Sequence, residues 1–243
     1  MDIFVIILIA VGSLIFIGLT ISGIATMLYK NILKTRLNES STIPKTASEL
    51  AKQELTNHSI KAQVVRVPTN NNAHYDYKNK IVALSDNFFS SYSAVAQAIS
   101  MHEVGHAIQD KNNSKKFNTF KKFNTASSIL APLFWISLIV GVALFFAIDY
   151  TIMPAIISLA FAGLCIILET SFKLLTASME KEASNKALEI LQENGISHDD
   201  YNTAKSLYKI ALTTYYASIF KPVIDLFNAI TWLIYNTIGR IFR

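Results

Sequence analysis

The sequence predicts a mainly α-helical membrane protein, with three transmembrane helices and a small α+β domain on the cytoplasmic side. Of its 243 residues, 51% are hydrophobic and only 16% are charged, whereas soluble domains carry about 25% charged residues. The hydrophobic residues are gathered into three long runs, and the mean hydropathy is positive, at +0.35. This composition and patterning favour a membrane protein over a soluble one.

Three apolar runs are candidates for membrane spans. The first, residues 3–28, has no charge and is long enough to cross a hydrocarbon core of about 30 Å. No basic residue precedes it, and it is longer than the apolar part of a cleaved signal peptide. The second and third runs, 126–148 and 152 to about 168, predict a tight helical hairpin. The predicted organisation is a transmembrane helix (1–29), a cytoplasmic domain (30–125), a transmembrane hairpin (126–177) and a cytoplasmic helical region (178–243).

The distribution of basic residues predicts the orientation of these spans. The N-terminal stub and the hairpin turn have none, whereas the segment between the first two spans has these near its ends: Lys30, Lys34, Arg36, Lys111, Lys115, Lys116, Lys121 and Lys122. By the positive-inside rule, this segment and the chain after the third span face the cytoplasm. Basic residues that flank membrane spans on the cytoplasmic side account for the net charge of +5, so we do not expect nucleic-acid binding. The single cysteine excludes an internal disulfide.

The cytoplasmic domain is predicted to combine short helices and short strands. Thr46 and Glu49 have the spacing of a capping box in front of a short helix. Residues 63–67 and 80–84 have the composition of strands. Residues 93–109 are expected to form a helix, because apolar residues recur there at helical spacing.

Other segments give weaker expectations. The polar residues 111–118 are expected to form a loop. Residues 223–242 are apolar but interrupted by polar side chains, which favours an interfacial amphipathic helix over a fourth span. His74 and Tyr75 could donate hydrogen bonds to a developing oxyanion, although packing within a loop is the favoured interpretation.

The chemistry is concentrated in the five residues His102-Glu103-Val104-Gly105-His106. Two histidines at positions i and i+4 lie on one helix face, so both rings can reach a single zinc ion at about 2.0–2.1 Å. Glu103 points toward the adjacent face, where it can take a proton from a water activated by the metal without becoming a ligand. The small Gly105 leaves room beside the metal. This pattern predicts a zincin-like metallopeptidase domain, rather than two histidines on an ordinary polar helix face.

A catalytic zinc ion of this kind needs a third protein ligand. The only later histidine, His198, lies beside two aspartates in an expected loop, which favours a carboxylate from another helix. Glu180 is the best placed, because the hairpin crosses twice and returns the chain to the side of the motif. Glu182, which projects about 200° around the helix from Glu180, is a competitor. So is Glu169, which lies deeper in the span and has Lys173 at i+4.

Similarity to a known family extends from the motif in both directions. It follows these stretches in order: His74–Asp76, Leu84-Ser85, Gln97–Gln109, Thr176, Glu180–Ser184 and Ala211–Thr213. In these stretches, which span most of the chain, the sequence resembles the YugP-type membrane zinc metallopeptidases of bacteria. The resemblance implies a Zn2+ cofactor and peptidase activity, and it maps the third metal ligand onto Glu180. It does not identify the substrate.

Together these features predict a zinc-dependent endopeptidase that hydrolyses peptide bonds of membrane or membrane-proximal proteins at the cytoplasmic face. Glu103 is expected to act as general base. The expected partners are a protein or peptide substrate and the membrane, and the oligomeric state is not assigned. The alternative is a non-hydrolytic membrane adaptor that keeps the metal for structure. Cleavage within the membrane is disfavoured, because Gln97, Ser100 and Gln109 make the motif helix too polar for lipid.

Overall fold

The computed structural model describes residues 3–69, 73–147 and 152–217. The described residues form two compact units. We call residues 3–22, 120–147, 152–175 and 215–217 the helical unit, and the described parts of 23–119 and 176–214 the mixed unit. The predicted hairpin turn at 149–151 and the predicted amphipathic helix at 223–242 lie outside the described residues.

Helices make up most of the described chain. They are α1 (Ile3–Arg36), α2 (Ala47–Asn57), α3 (Asp86–Phe89), α4 (Ala94–Lys111), α5 (Lys115–Ala147), α6 (Ile152–Glu193) and α7 (His198–Ala217). The strands are β1 (Gln63–Val67), β2 (His74–Asp76) and β3 (Ile81–Ser85). A mainly helical fold with a small sheet is therefore confirmed. The expectation that His198 lies in a loop is wrong, because this residue begins α7.

The sheet has the strand order β1-β3-β2. β1 runs parallel to β3, with Gln63 opposite Ile81, and β2 runs antiparallel to it, with His74 opposite Ala83. β1 has the predicted bounds and β3 begins one residue later than expected. β2 was not predicted, because three polar and aromatic residues are too few to show the alternation that identifies a strand.

The described residues of all three predicted spans are helical. Within the described part of the chain, one stretch, Phe16–Arg36 in α1, is long and apolar enough to cross a membrane. The arrangement with three transmembrane helices therefore remains a prediction. Within the helical unit, the ring of Phe172 in α6 stacks on the rings of Phe120 and Phe123 in α5, with centroids 5.9 and 6.3 Å apart. These contacts hold α5 and α6 together within the helical unit.

The loop expected over residues 111–118 is shorter in the structure. Only residues 112–114 separate α4 from α5. Asn113 has a φ of 52°, a left-handed conformation that ends a helix abruptly. The backbone N–H of Ser114 donates to the carbonyl of Gln109 at 2.9 Å, which satisfies one of the last carbonyls of α4. The change of direction thus takes three residues rather than eight.

α4 lies at the centre of the mixed unit and is buried along most of its length. Its many alanines let other elements pack closely around it, including these side chains: Ile43, Leu50, Leu55, Leu84, Ile190 and Leu207. Its polar residues are buried with partners. Gln97 donates to two backbone carbonyls of the segment before α2, at 3.1 and 2.7 Å, and Ser100 donates to the carbonyl of Ala47 at 2.8 Å. These bonds fix α4 in a protein core despite its polarity.

Candidate metal centre

The histidine motif lies in the interior of α4, as the sequence predicts. His102 and His106 are one turn apart, and their ring centroids are 4.7 Å apart with an angle of 83° between the planes. His106 is buried and His102 is partly exposed. The two imidazoles therefore present their nitrogens from one helix face at the edge of the core.

Glu180 reaches the two histidines from α6. Its Oε2 atom lies 2.9 Å from Nε2 of His102 and 3.4 Å from Nε2 of His106. Within the described residues, these three side chains form the one group of three or more potential His, Cys, Asp or Glu ligands, with ligand atoms all within 4.8 Å of one another. The structure thus brings together the three residues that the sequence nominates.

The competing carboxylates have other partners. Glu182 accepts a hydrogen bond from Ser114 at 3.1 Å and lies 3.3 Å from the Nζ atom of Lys116. Glu169, in the helical unit, pairs with Lys173 at 3.2 Å, as the i,i+4 spacing suggests. Both interactions account for these carboxylates without a metal.

The donor set suits zinc. Zinc binds imidazole nitrogen and carboxylate oxygen at about 2.0–2.2 Å, and tetrahedral geometry at that length separates neighbouring ligand atoms by about 3.3 Å. The separations of 2.9 and 3.4 Å from Glu180 to the two histidines are close to this value. Two histidines and one glutamate also leave the fourth position for water or substrate.

The close approach of α4 to α6 depends on Gly105. A Cβ atom on Gly105 would lie 2.7 Å from the backbone carbonyl oxygen of Ala183, which is closer than real Cβ contacts. The obstacle is backbone and cannot rotate away. Glycine therefore sits here because α6 occupies the space, and this contact lies between the two histidines of α4 and one turn from Glu180 on α6.

The second ring nitrogen of each histidine also has a partner. Nδ1 of His102 lies 3.2 Å from the hydroxyl of Ser184, one turn after Glu180 on α6. Nδ1 of His106 lies 2.9 Å from Oε1 of Gln109, whose amide nitrogen donates to the carbonyl of Met179 at 3.0 Å. These partners could not be assigned from the sequence, although both residues lie in the stretches that resemble the family.

The electrostatics of the group follow from its burial and its charges. Burial alone would raise the pKa of Glu180, but hydrogen bonds with His102 and His106 outweigh burial and hold that pKa well below its usual value. Burial would lower the pKa of His106, but hydrogen bonding to Glu180 and the charges of Glu180 and Glu103 raise it to about 9. Glu180 is therefore ionised and places a negative charge against the two histidine rings.

Glu103 is buried beside the group and is not one of its three members. Tyr208 in α7 lies near its charge. Burial raises the pKa of Tyr208, and the charge of Glu103 raises it further. The ring of Tyr208 lies 5.7 Å from that of His102, and its hydroxyl donates to the carbonyl of Ala98 at 2.6 Å. Nothing in the sequence singled out Tyr208.

Tyr75 has a structural role in this part of the molecule. Its hydroxyl donates to the carboxylate of Asp110 at 2.9 Å, and Lys80 pairs with the same carboxylate. Its ring packs against Phe117, which in turn lies 6.0 Å from the ring of His106. The hydroxyl is directed to Asp110, so the packing interpretation fits this residue better than a role at an oxyanion.

Two histidines one turn apart on a helix and a glutamate from a second helix make up the ligand set of a class of zinc hydrolases. Residues 11–234 match the model of a family described as "Putative neutral zinc metallopeptidase", and the chain belongs to this family. It is also similar to the "Putative membrane protease YugP" of Bacillus subtilis (strain 168), with 27% identity over 175 residues, which is 69% of each chain. No solved structure was found to match the chain.

Proposed function

We propose that the protein is a zinc-dependent membrane metalloendopeptidase in which His102, His106 and Glu180 hold Zn2+ and Glu103 acts as general base. The observation that carries the proposal is the position of the Glu180 carboxylate, 2.9 and 3.4 Å from the two histidine Nε2 atoms. Membership of a zinc metallopeptidase family supports it. So does the similarity to a Bacillus subtilis protein that is described as a putative membrane protease.

The side chains of the site have different roles in peptide hydrolysis. Zinc at this site would supply a Lewis acid that polarises the scissile carbonyl and makes water more acidic. Glu103, on the adjacent face of α4, takes the proton of the attacking water and passes it to the leaving amine. Glu180 would supply negative charge that offsets the cation, and His102 and His106 would bind it through neutral imidazole nitrogens.

We also propose that the substrates are membrane or membrane-proximal proteins and that the site faces the cytoplasm. The candidate span in α1 ends at Arg36, and the mixed unit begins within the same continuous helix. Basic residues at both ends of the segment 30–125 favour the cytoplasmic side. A peptidase tethered in this way meets tails and loops of membrane proteins at high local concentration.

Metal analysis and proteolysis of the purified full-length protein test the proposal together. We expect about one zinc per chain and cleavage of an unfolded protein such as casein that stops with chelator and returns with added zinc. The variant His102→Ala should lose both properties. Zinc without cleavage across a panel of unfolded and membrane-protein substrates would favour the adaptor. Wild-type protein that holds no more zinc than His102→Ala would contradict the metal site itself.

A further inference from the structure

Gln109 occupies a position between the two helices of the metal centre. It lies three residues after His106 on α4, and its side chain is buried. Its Oε1 atom is 2.9 Å from Nδ1 of His106, and its Nε2 atom is 3.0 Å from the backbone carbonyl oxygen of Met179 on α6. Met179 is the residue directly before Glu180. One amide group thus touches a histidine of one helix and the backbone beside the glutamate of the other.

The two contacts determine which ring nitrogen carries the hydrogen when His106 is neutral. A backbone carbonyl can only accept, so the amide nitrogen of Gln109 must face Met179 and donate to it. The amide oxygen then faces His106 and can only accept, so the hydrogen of the neutral ring resides on Nδ1. In the neutral ring, this tautomer leaves the lone pair of Nε2 free for a metal bound beside Glu180, whose Oε2 atom is 3.4 Å away.

We propose that Gln109 is a positioning residue for metal binding, which fixes the tautomer and ring orientation of His106 and ties it to the backbone that carries Glu180. This inference rests on the metal site proposed above. Partners on the remote nitrogen of a ligating histidine orient the ring, and their loss typically weakens metal affinity about 10–100-fold. Gln109 adds a link between ligands that come from different helices, so it also holds the distance between them.

The same helix provides a matched control. Gln97 is also a fully buried glutamine of α4, and its amide also donates to backbone carbonyls, those of Ile43 and Lys45. Its hydrogen bonds go to Ser41, Ile43 and Lys45 and not to the metal group. Replacing either glutamine by methionine removes a buried amide of similar size, so both changes should lower the stability of the metal-free protein. Only the replacement of Gln109 should change zinc affinity.

The experiment measures the zinc dissociation constant by chelator competition, and the thermal unfolding of the metal-free protein, on full-length wild type, Gln109→Met, Gln109→Glu and Gln97→Met. We expect Gln109→Met to bind zinc about 10–100-fold more weakly and Gln97→Met to bind it as wild type does. Gln109→Glu keeps the acceptor for His106 but places a carboxylate against the Met179 carbonyl. It should therefore recover zinc affinity relative to Gln109→Met while unfolding at a lower temperature than wild type.

The outcomes separate this inference from the proposed function. If wild type fails to bind zinc, the metal site is refuted. If wild type binds zinc and Gln109→Met binds it equally tightly, only the role of Gln109 is refuted. The role of Gln109 is also refuted if Gln109→Glu binds zinc more weakly than Gln109→Met. That order would show that Gln109 matters only through its structural contact with α6. If Gln109→Met does not fold, Gln109→Asn, whose amide is too short to span both partners, carries the same expectation.

Discussion

Gly105 of α4 and Ala183 of α6 approach so closely that a Cβ atom on Gly105 would lie 2.7 Å from the carbonyl oxygen of Ala183. Gly105 lies between His102 and His106, and Glu180 lies one turn before Ala183. The contact therefore sets the distance at which the two halves of the candidate metal centre face each other.

Replacing Gly105 by alanine should push α6 away from α4. Overpacking against a rigid backbone costs about 1–3 kcal/mol, and displacement of Glu180 should lower zinc content as well. Thermal unfolding and zinc analysis check both effects. Gly23→Ala in α1 is the control, since a Cβ there meets nothing within 4 Å, and it should be neutral or slightly stabilising. A Gly105→Ala protein with normal stability and zinc content would show that this contact does not set the distance between α4 and α6.

The assignment of Glu180 predicts a sharp difference among three carboxylates. Glu180→Gln should reduce zinc content as severely as His102→Ala, because an amide cannot supply the charge of the missing ligand. Glu182→Gln and Glu169→Gln should retain zinc, because those carboxylates pair with Lys116 and Lys173. Zinc analysis of the purified variants decides between them. Full zinc content in Glu180→Gln would mean that the third ligand lies elsewhere.

The predicted membrane topology can be tested with single cysteines in a Cys165→Ser background. Asn112→Cys lies at the exposed end of α4, and Asp149→Cys lies in the predicted hairpin turn. A thiol reagent that cannot cross membranes should label the second variant in intact cells. It should label the first only after the cells are permeabilised. Equal labelling of both variants in intact cells would contradict the predicted hairpin and remove the topological argument for Glu180.

The capping box of α2 predicts a small acid-dependent change in stability. Hydrogen bonds from the Thr46 backbone and side chain hold the pKa of Glu49 below its usual value of 4.5. Since its folded pKa is depressed, the stabilisation is present above pH 4.5 and is lost as the pH falls through the folded value. As the pH is lowered from 6 to about 3, the unfolding temperature should therefore fall less steeply for Glu49→Gln than for wild type. Parallel curves would show that the negative charge of Glu49 contributes nothing to stability.

Local features of the site were predictable, whereas its assembly was not. The spacing of His102 and His106 on one helix face is a property of the α-helix itself, and so is the capping box of Thr46 and Glu49, which the structure contains. The residues alone favoured Glu180 as third ligand over Glu182 and Glu169, on the predicted topology. They could not show its contact with the histidines, because that contact depends on where α6 crosses α4.

Contacts between distant parts of the chain explain what the sequence did not reveal. Gln109 bonds to Met179, 70 residues away, and Tyr208 reaches the ring of His102 from α7. Neither residue type nor spacing indicates such partners in advance. β2 escaped prediction for a different reason, since its three residues become a strand only by pairing with β3.

The central claim is that Glu103 is a base and not a ligand, and the variant Glu103→Gln tests it most directly. Glutamine keeps the size of the side chain but cannot accept a proton at neutral pH. Zinc content and cleavage rate should be measured on the same purified sample, beside wild type and His102→Ala. We predict normal zinc content with cleavage lowered roughly 10²–10⁴-fold, whereas His102→Ala should lose both. A Glu103→Gln protein that binds zinc and cleaves at the wild-type rate would contradict the account.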